Sequence, residues 1–202
     1  SVLLITVLPL VALVLTSLTT FWGADLVWAN LTLDHYMSAL TIPAARRGII
    51  NSLFLAAAAG VILVLTTSLI SYLTVKARYR AAAWLDIAGI VPFALPGSVI
   101  GVAMILAWSN PPIGPTLYGT IWILLIAYIM RYMAFGLQTT RATLQQIHVS
   151  LEEAALTSGA GRLRVLKDIT LPLLRPGMVA AWVLIFISAF NELTVSVLIW
   201  TT

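Results

Sequence analysis

Residues 150–172 read SLEEAALTSGAGRLRVLKDITLP, the longest polar interval in an otherwise apolar chain. Ser150 and Glu153 have the spacing of a capping box, in which each side chain binds the other residue's backbone N–H where a helix begins. Glu152 and Glu153 would also lie in the first turn, where the helix dipole favours negative charge. A short helix is therefore predicted to begin at Ser150.

The rest of this interval predicts a turn and a second helix. Gly159 and Gly161 supply the flexible residues that end the first helix. The second helix is expected to begin near Arg162 and to end before Pro172, because proline has no N–H to continue an interior turn. Residues 148–172 are thus predicted to be two short helices hung between membrane spans.

The composition indicates an integral membrane protein with an all-α fold. Hydrophobic residues make up 61% of the 202 residues and charged residues only 9%, whereas a soluble domain carries about 25% charged residues. The chain has no cysteine, which excludes a disulfide framework and a thiolate metal site. It also lacks the GxxxxGK[ST] motif of a phosphate-binding loop. The net charge of +4 needs no nucleic-acid partner, since basic residues in short cytoplasmic loops account for it.

Apolar runs long enough to cross a hydrocarbon core of about 30 Å recur along the chain. Five spans are predicted, at residues 2–22, 49–73, 84–108, 117–137 and 177–200. Basic residues follow the second span at Lys76, Arg78 and Arg80 and recur after Gly161, so both segments are predicted to face the cytoplasm. The whole of residues 1–202 is interpreted as one transmembrane domain, and the apolar ends suggest part of a longer chain.

The third span is predicted to be broken. Pro92 and Pro96 cannot both take part in one helix ladder, and Gly97 follows directly. Irregular backbone at membrane depth is tolerated where it is buried in protein or lines a watery cavity. Gly97 and Gly101 also form a GxxxG pattern, which allows close helix contact. The break therefore has two readings, a packing feature or part of a path through the membrane.

The fifth span carries a carboxylate, and an intramembrane carboxylate is a candidate functional site. If the span is one helix, four polar side chains form a stripe on the translocation path: Ser188, Asn191, Glu192 and Ser196. The alternative is a structural bond from Glu192 to another helix or subunit. Arg131 lies near the inner end of the fourth span, where it can either snorkel to the membrane surface or pair with a carboxylate, and Asp86 is a possible partner.

The polar interval resembles the EAA loop of ABC importer permeases. Its matching residues are Glu153, Ala154, Ala155, Gly159, Ile169, Thr170, Leu171 and Pro172. Residues 92–97 and 191–198 are also similar to the corresponding phrases of ferric-iron permeases. The resemblance implies the core of a type I ABC importer permease in the bacterial cytoplasmic (inner) membrane. In that family the EAA loop is the coupling helix that docks on the ATPase. Ala154 and Ala155 would allow close approach, Glu153 would offer a charge partner, and Gly159 would let the docked helix leave at an angle.

The resemblance also implies partners and a cargo. The partners are two ATPase subunits, a second permease half and a periplasmic substrate-binding protein. ATP and magnesium would be held by the ATPase subunits, so this chain is expected to bind no cofactor or metal and to catalyse no reaction. Ferric iron is the first expected cargo, with thiamine, polyamine, sulfate or phosphonate as alternatives. An ATP-independent carrier and a membrane enzyme are more remote alternatives.

Overall fold

A computed structural model describes residues 2–21, 23, 27–77, 79–112 and 114–199. The described residues form helices and turns with one isolated antiparallel bridge between Thr19 and Leu31, so the all-α prediction is confirmed. The α-helices are α1 Val2–Ser17, α2 Asp34–Thr41, α3 Pro43–Val75, α4 Arg80–Ile90, α5 Gly97–Ser109, α6 Ile121–Gln146, α7 Val149–Thr157, α8 Arg162–Val165, α9 Leu171–Phe190 and α10 Ser196–Ile199. The chain separates into two compact units, residues 1–51 and 52–202.

The first unit contains α1, α2 and the start of α3. The α1 helix has 16 residues and ends at Ser17, so it stops short of the predicted boundary at 22, which lies outside the described residues. The turn after it is closed by the Thr19–Leu31 bridge. A ring nitrogen of His35, Nε2, lies 2.8 Å from the carbonyl oxygen of Thr19. These contacts fix the start of α2 against the end of α1.

The α3 helix begins earlier than the sequence predicts. It starts at Pro43 and runs for 33 residues, because proline at the first helical position loses no hydrogen bond and already has a helical φ angle. Arg46 and Arg47, expected in a loop, therefore lie in the first turns of this helix. At 1.5 Å per residue the helix is about 50 Å long, which exceeds the hydrocarbon thickness.

The predicted spans differ in how completely they are formed. Within the described ranges, three helical stretches are long and apolar enough to cross a membrane: Pro43–Val75, Ile121–Gln146 and Arg162–Phe190. The predicted third span is a helix pair, Arg80–Ala94 and Gly97–Ser109, bent by more than 40°. The predicted first span is the shorter α1. The five apolar segments are thus present, but only three of them are single helices of full length.

The core of the second unit is built around α6. Large side chains that are 0% or 1% exposed include Leu63 on α3, Ile123 and Leu137 on α6, and Ile185 on α9. Alanines at the same level, such as Ala59, Ala127 and Ala181, are also fully buried. Lipid tails are as apolar as leucine, so small residues that let helices approach closely drive packing inside a membrane.

The last long helix overturns the prediction that a second short helix ends before Pro172. The helix that begins at Arg162 passes through a π-helical segment, Leu166–Thr170, and continues to Phe190. In the π segment the N–H of Leu171 bonds to the carbonyl of Leu166, five residues back. Pro172 follows the π segment directly, as the second residue of α9, so its missing N–H falls where the α-helical ladder is already interrupted.

The same helix ends sooner than predicted at its other end. It stops at Phe190, and Asn191 lies at its C-terminus. Residues 191–195 form turns before the short α10 begins at Ser196. Ser188, Asn191, Glu192 and Ser196 therefore do not lie on one continuous helix, as a helical stripe would require.

Gly60 gives a test of the packing between α3 and α9. A Cβ atom at Gly60 would lie 2.8 Å from Nε1 of Trp182, and the indole cannot easily move because it stacks on Phe186 at 5.0 Å. We expect Gly60→Leu to destabilise the protein by about 1–3 kcal/mol, as overpacking does. Thermal unfolding in detergent, followed by tryptophan fluorescence, measures this.

The matched control is Gly48→Leu in the same helix. Nothing lies within 4 Å of a Cβ at Gly48, and leucine favours helix over glycine by up to about 1 kcal/mol. We therefore expect an unchanged or higher midpoint. Equal midpoints for the two variants would contradict the close contact at Gly60.

Candidate functional site

The first candidate site is α7, the helix within the polar interval. It begins at Val149, and the residue before it, His148, caps it: ring nitrogen Nδ1 accepts from the backbone N–H of Ser150 at 3.3 Å. The predicted capping box of Ser150 with Glu153 is therefore wrong. Ser150 lies inside the helix because the histidine ring supplies the acceptor that the serine hydroxyl was expected to supply.

Glu152 faces the membrane helices. Its Oε2 lies 3.3 Å from Nζ of Lys76, and its Oε1 accepts a hydrogen bond of 2.8 Å from the hydroxyl of Thr170. Lys76 and Glu152 are only 7% and 16% exposed at their side chains. Lys76 follows α3, so the first basic residue after the predicted second span contacts α7 at one end of the second unit.

Glu153 faces away. It is exposed, and within the described residues its carboxylate has no hydrogen bond or ion pair. The neighbouring exposed residues are largely apolar. At 3.6 residues per turn Val149 and Leu156 lie on the same side of the helix as Glu153, and these three exposed residues form what we call the outer face of α7. A compact set of exposed apolar side chains around one charge is typical of a protein-binding surface.

The turn after α7 needs glycine. Gly159 has a φ angle of +87°, a conformation that costs other residues about 1–2 kcal/mol. Nothing lies within 4 Å of a Cβ at this position. Glycine is therefore required by the backbone conformation and not by a lack of space for a side chain. The predicted turn is confirmed.

The remaining residues of the EAA-like pattern do not share this outer face. Ala155 is half-buried on α7. Ile169 is half-buried at the end of the π segment, and Leu171 and Pro172 begin α9. The pattern therefore covers two structures: an exposed helix and the base of the last long helix.

The second candidate site contains the predicted helix break. The α4 helix ends at Ile90, residues 91–94 form a 3₁₀ turn, and Leu95 is extended before α5 begins at Gly97. The predicted break at Pro92, Pro96 and Gly97 is thus present. The carbonyl of Leu95, freed by the break, accepts a hydrogen bond of 3.2 Å from Nη1 of Arg131 on α6.

Arg131 also binds Glu192, which lies in the second break, between α9 and α10. Oε2 of Glu192 accepts from Nε of Arg131 at 3.0 Å and from the hydroxyl of Tyr132. Oε1 accepts from the hydroxyl of Thr194 and from the backbone N–H of Val195 at 3.0 Å. The Glu192 side chain is 5% exposed. Each carboxylate oxygen already accepts two hydrogen bonds, so in this conformation the group acts as a structural anchor.

The other members of the predicted polar stripe are bound locally. Nδ2 of Asn191 donates to the carbonyl of Ile187 at 2.8 Å, and the hydroxyl of Ser196 donates to the carbonyl of Glu192 at 2.8 Å. Ser188 is half-buried on α9. The geometry matches the structural alternative for Glu192, a bond to another helix, and the path assignment stays a prediction.

Glycines bring the two breaks into contact. A Cβ at Gly97 would meet the Thr194 side chain and lie 3.3 Å from Cζ of Arg131. A Cβ at Gly101 would lie 2.9 Å from the Leu198 side chain. The predicted GxxxG pattern is therefore the surface on which residues 194–198 pack.

The possible pairing of Arg131 with Asp86 is wrong. Asp86 on α4 pairs with Arg141, which lies almost three turns beyond Arg131 on α6. The sequence did hold a signal for the true pair, because charges within membrane spans almost always pair with one another. Arg131 and Glu192 are the two charges placed deep in predicted spans.

Comparison with known proteins identifies the family. Residues 75–201 match the family described as the binding-protein-dependent transport system inner membrane component. The chain belongs to this family. The match spans residues 148–172 and both helix breaks, and it confirms the resemblance to type I ABC importer permeases of the inner membrane.

Similar proteins include permeases named for two different cargoes. The chain is 31% identical to a ferric transport system permease protein of Actinobacillus pleuropneumoniae, over 92% of this chain and 27% of the relative. It is 33% identical to a putative ferric transport system permease protein of Haemophilus influenzae, over 91% of this chain and 28% of the relative. It is 30% identical to a putative 2-aminoethylphosphonate transport system permease protein of Salmonella paratyphi A, over 96% of this chain and 74% of the relative. The chain therefore spans little more than a quarter of the ferric permeases.

Arg131→Met tests the ion pair. It would leave Glu192 buried without a counter-charge, which costs about 3–5 kcal/mol. We expect a markedly lower thermal midpoint in detergent, and a partial recovery in the double variant with Glu192→Gln, because the uncompensated charge is then gone.

Arg175→Met is the control, because Arg175 is exposed on α9 and surface changes usually stay within about 0.5 kcal/mol. If Arg131→Met unfolds at the same temperature as this control, the Arg131–Glu192 pair does not stabilise the fold.

Proposed function

We propose that this chain is the membrane-spanning permease part of an ATP-driven importer and that the outer face of α7 docks on the ATPase subunit. One observation carries the proposal: Glu152 ties α7 to the membrane helices while Glu153 and its apolar neighbours face outward without partners of their own among the described residues. A helix held on one face and open on the other is suited to receive a partner and to pass on its movement.

The proposed assembly contains two ATPase subunits, a second permease half, fused or separate, and a substrate-binding protein outside. ATP binding closes the ATPase subunits and moves α7, and the membrane helices then open toward the binding protein. Hydrolysis returns the cavity to the inside. ATP and magnesium belong to the ATPase subunits, and this chain contributes no catalytic group and holds no cofactor. Its own contribution is a path and a mechanical contact.

The proposed path runs beside the two helix breaks. Irregular backbone is tolerated at membrane depth where it lines a cavity, and discontinuous helices form the binding sites of many transporters. Arg131 is 21% exposed at its side chain, so the cluster is open on one side. We keep Ser188, Asn191, Glu192 and Ser196 as path residues in this proposal, with Glu192 acting through its hold on Arg131.

Ferric iron is the proposed cargo, because relatives named as ferric permeases match over more than nine-tenths of this chain. An aminoethylphosphonate is the second candidate, because the relatives of that name match along 74% of their own length. The two cargoes differ in charge: one is a trivalent cation and the other carries a phosphonate group.

Gly159→Leu tests the docking. Leucine at a φ of +87° is strained by about 1–2 kcal/mol, so α7 should leave its position and the ATPase subunit should bind less tightly. We expect a loss of about 5- to 30-fold in affinity, since each 1.4 kcal/mol is tenfold. Co-purification of the ATPase subunits with the tagged permease, repeated at a series of salt concentrations, measures this loss of affinity.

The matched control is Gly161→Leu. Gly161 lies two residues away with an ordinary φ of −72° and open space around its Cβ, so ATPase binding should persist. Equal binding in both variants would contradict docking through α7. Substrate flux without any ATPase subunit would instead favour a secondary carrier.

The cargo is tested with the complete transporter in liposomes. We expect a binding protein loaded with ferric iron to stimulate ATP hydrolysis and iron uptake, and the same protein offered 2-aminoethylphosphonate to give neither. The reverse result would assign the phosphonate. The empty binding protein gives the baseline in both arms.

A further inference from the structure

The contact between α7 and the membrane helices is concentrated in one polar junction. Lys76 follows α3, Ile147 links α6 to α7, Glu152 lies on α7, and Thr170 ends the π segment before α9; we call these residues the Glu152 junction. Nζ of Lys76 lies 3.3 Å from Oε2 of Glu152 and donates to the carbonyl of Ile147 at 2.9 Å. The hydroxyl of Thr170 donates to Oε1 of Glu152 at 2.8 Å.

This junction is shielded from water. The side chains of Lys76 and Glu152 are 7% and 16% exposed, and Thr170 is 1% exposed. Exposed ion pairs are screened and contribute little, whereas a pair withdrawn from water is held tightly once formed, because separating it leaves an uncompensated charge. The junction is therefore a stiff contact between α7 and three long helices.

The covalent connections of α7 are less stiff. At its start the chain turns at Ile147 and His148, both of which have extended ψ angles of 107° and 135°. At its end the chain turns at Gly159, which is left-handed. Both links join α7 to its neighbours through short irregular segments, so the chain itself is a poor transmitter of a push on α7.

We propose that Glu152 is the positioning residue through which movement of α7 reaches the membrane helices, and that its junction stays closed throughout the transport cycle. This inference rests on the proposed function and assigns different roles to the adjacent residues Glu152 and Glu153. Glu153 on the outer face meets the ATPase, and Glu152 on the inner face grips α3 and the base of the last long helix.

Movement of α7 would reach the last long helix at its π segment, Leu166–Thr170. Residues 166–170 have the i→i−5 pattern, and Thr170 is the last of them. Such segments are rare, occur mostly as single-turn bulges and are frequent at functional sites. A pull on Thr170 through Glu152 would act where the ladder changes from the π pattern to the α pattern, directly before the 20-residue α9.

The first experiment compares Lys76→Met, Glu152→Gln and the double variant in the complete transporter in liposomes. We expect each single variant to keep its ATPase subunits and its ATP hydrolysis without binding protein. Transport per ATP hydrolysed should fall by on the order of tenfold, the size of a typical coupling between sites. The double variant should lose no more than either single variant, because both changes remove the same contact.

Cross-linking distinguishes a force-bearing contact from a merely stabilising one. The chain has no cysteine, so Lys76→Cys with Glu152→Cys can be joined by a short, cleavable thiol reagent. The unlinked double variant should transport poorly for each ATP hydrolysed. Joining the two positions should raise that ratio, and cleaving the reagent should lower it again. If the double variant were only misfolded, its transport per ATP would not rise on cross-linking and fall again on cleavage.

The outcomes separate this inference from the proposed function. If transport per ATP is unchanged in Lys76→Met and Glu152→Gln, or if cross-linking lowers it, the junction is not the closed link proposed here, while docking through Glu153 and Gly159 still stands. If Gly159→Leu and Gly161→Leu bind the ATPase equally, the proposed docking fails first. Loss of ATPase binding in Glu152→Gln would assign Glu152 to docking and also overturn the inference.

Discussion

The pairing of Arg131 with Glu192 is the interaction on which the second unit depends. Hydrocarbon offers no water to backbone groups, so each interruption of a membrane helix must be satisfied by protein. This chain interrupts two helices, at residues 91–96 and at residues 191–195. Arg131 supplies a donor to the carbonyl of Leu95, and Glu192 supplies an acceptor to the N–H of Val195. The ion pair between Arg131 and Glu192 thus connects the residues that satisfy the backbone at the two helix breaks.

Close packing makes that pairing geometrically possible. Gly97 has no side chain where Thr194 and Arg131 approach it, and Gly101 has none where Leu198 approaches. Aromatic contacts continue the cluster on its other side: the rings of Tyr132 and Phe135 stack, and Phe93 meets Phe135 edge-on at 5.1 Å. The two breaks are thus held against the unbroken α6, which acts as the fixed support for both.

The α7 helix is also held by buried polar contacts, at the predicted cytoplasmic end of the second unit. A short helix of nine residues is marginal by itself, since isolated helices shorter than about 12–15 residues barely form in water. Its stability comes from packing and from the contacts of Glu152 with Lys76 and Thr170. A helix supported on one face in this way leaves the other free for a partner, and the family to which the chain belongs is one of inner membrane components that work with other proteins.

Composition and local pattern by themselves determined the class and the outline. The 61% hydrophobic content fixed a membrane protein, prolines at 92 and 96 fixed a helix break, and the spacing from Glu153 to Pro172 indicated the family. These features follow from local rules of backbone and solvation. The tertiary structure alone decided which side chains meet. Residues 131 and 192 are far apart in sequence, Pro172 was accommodated by a π segment, and Glu192 left the helix because four donors stabilise its carboxylate in a turn. Such outcomes depend on the partners that packing brings near, and no local pattern encodes them.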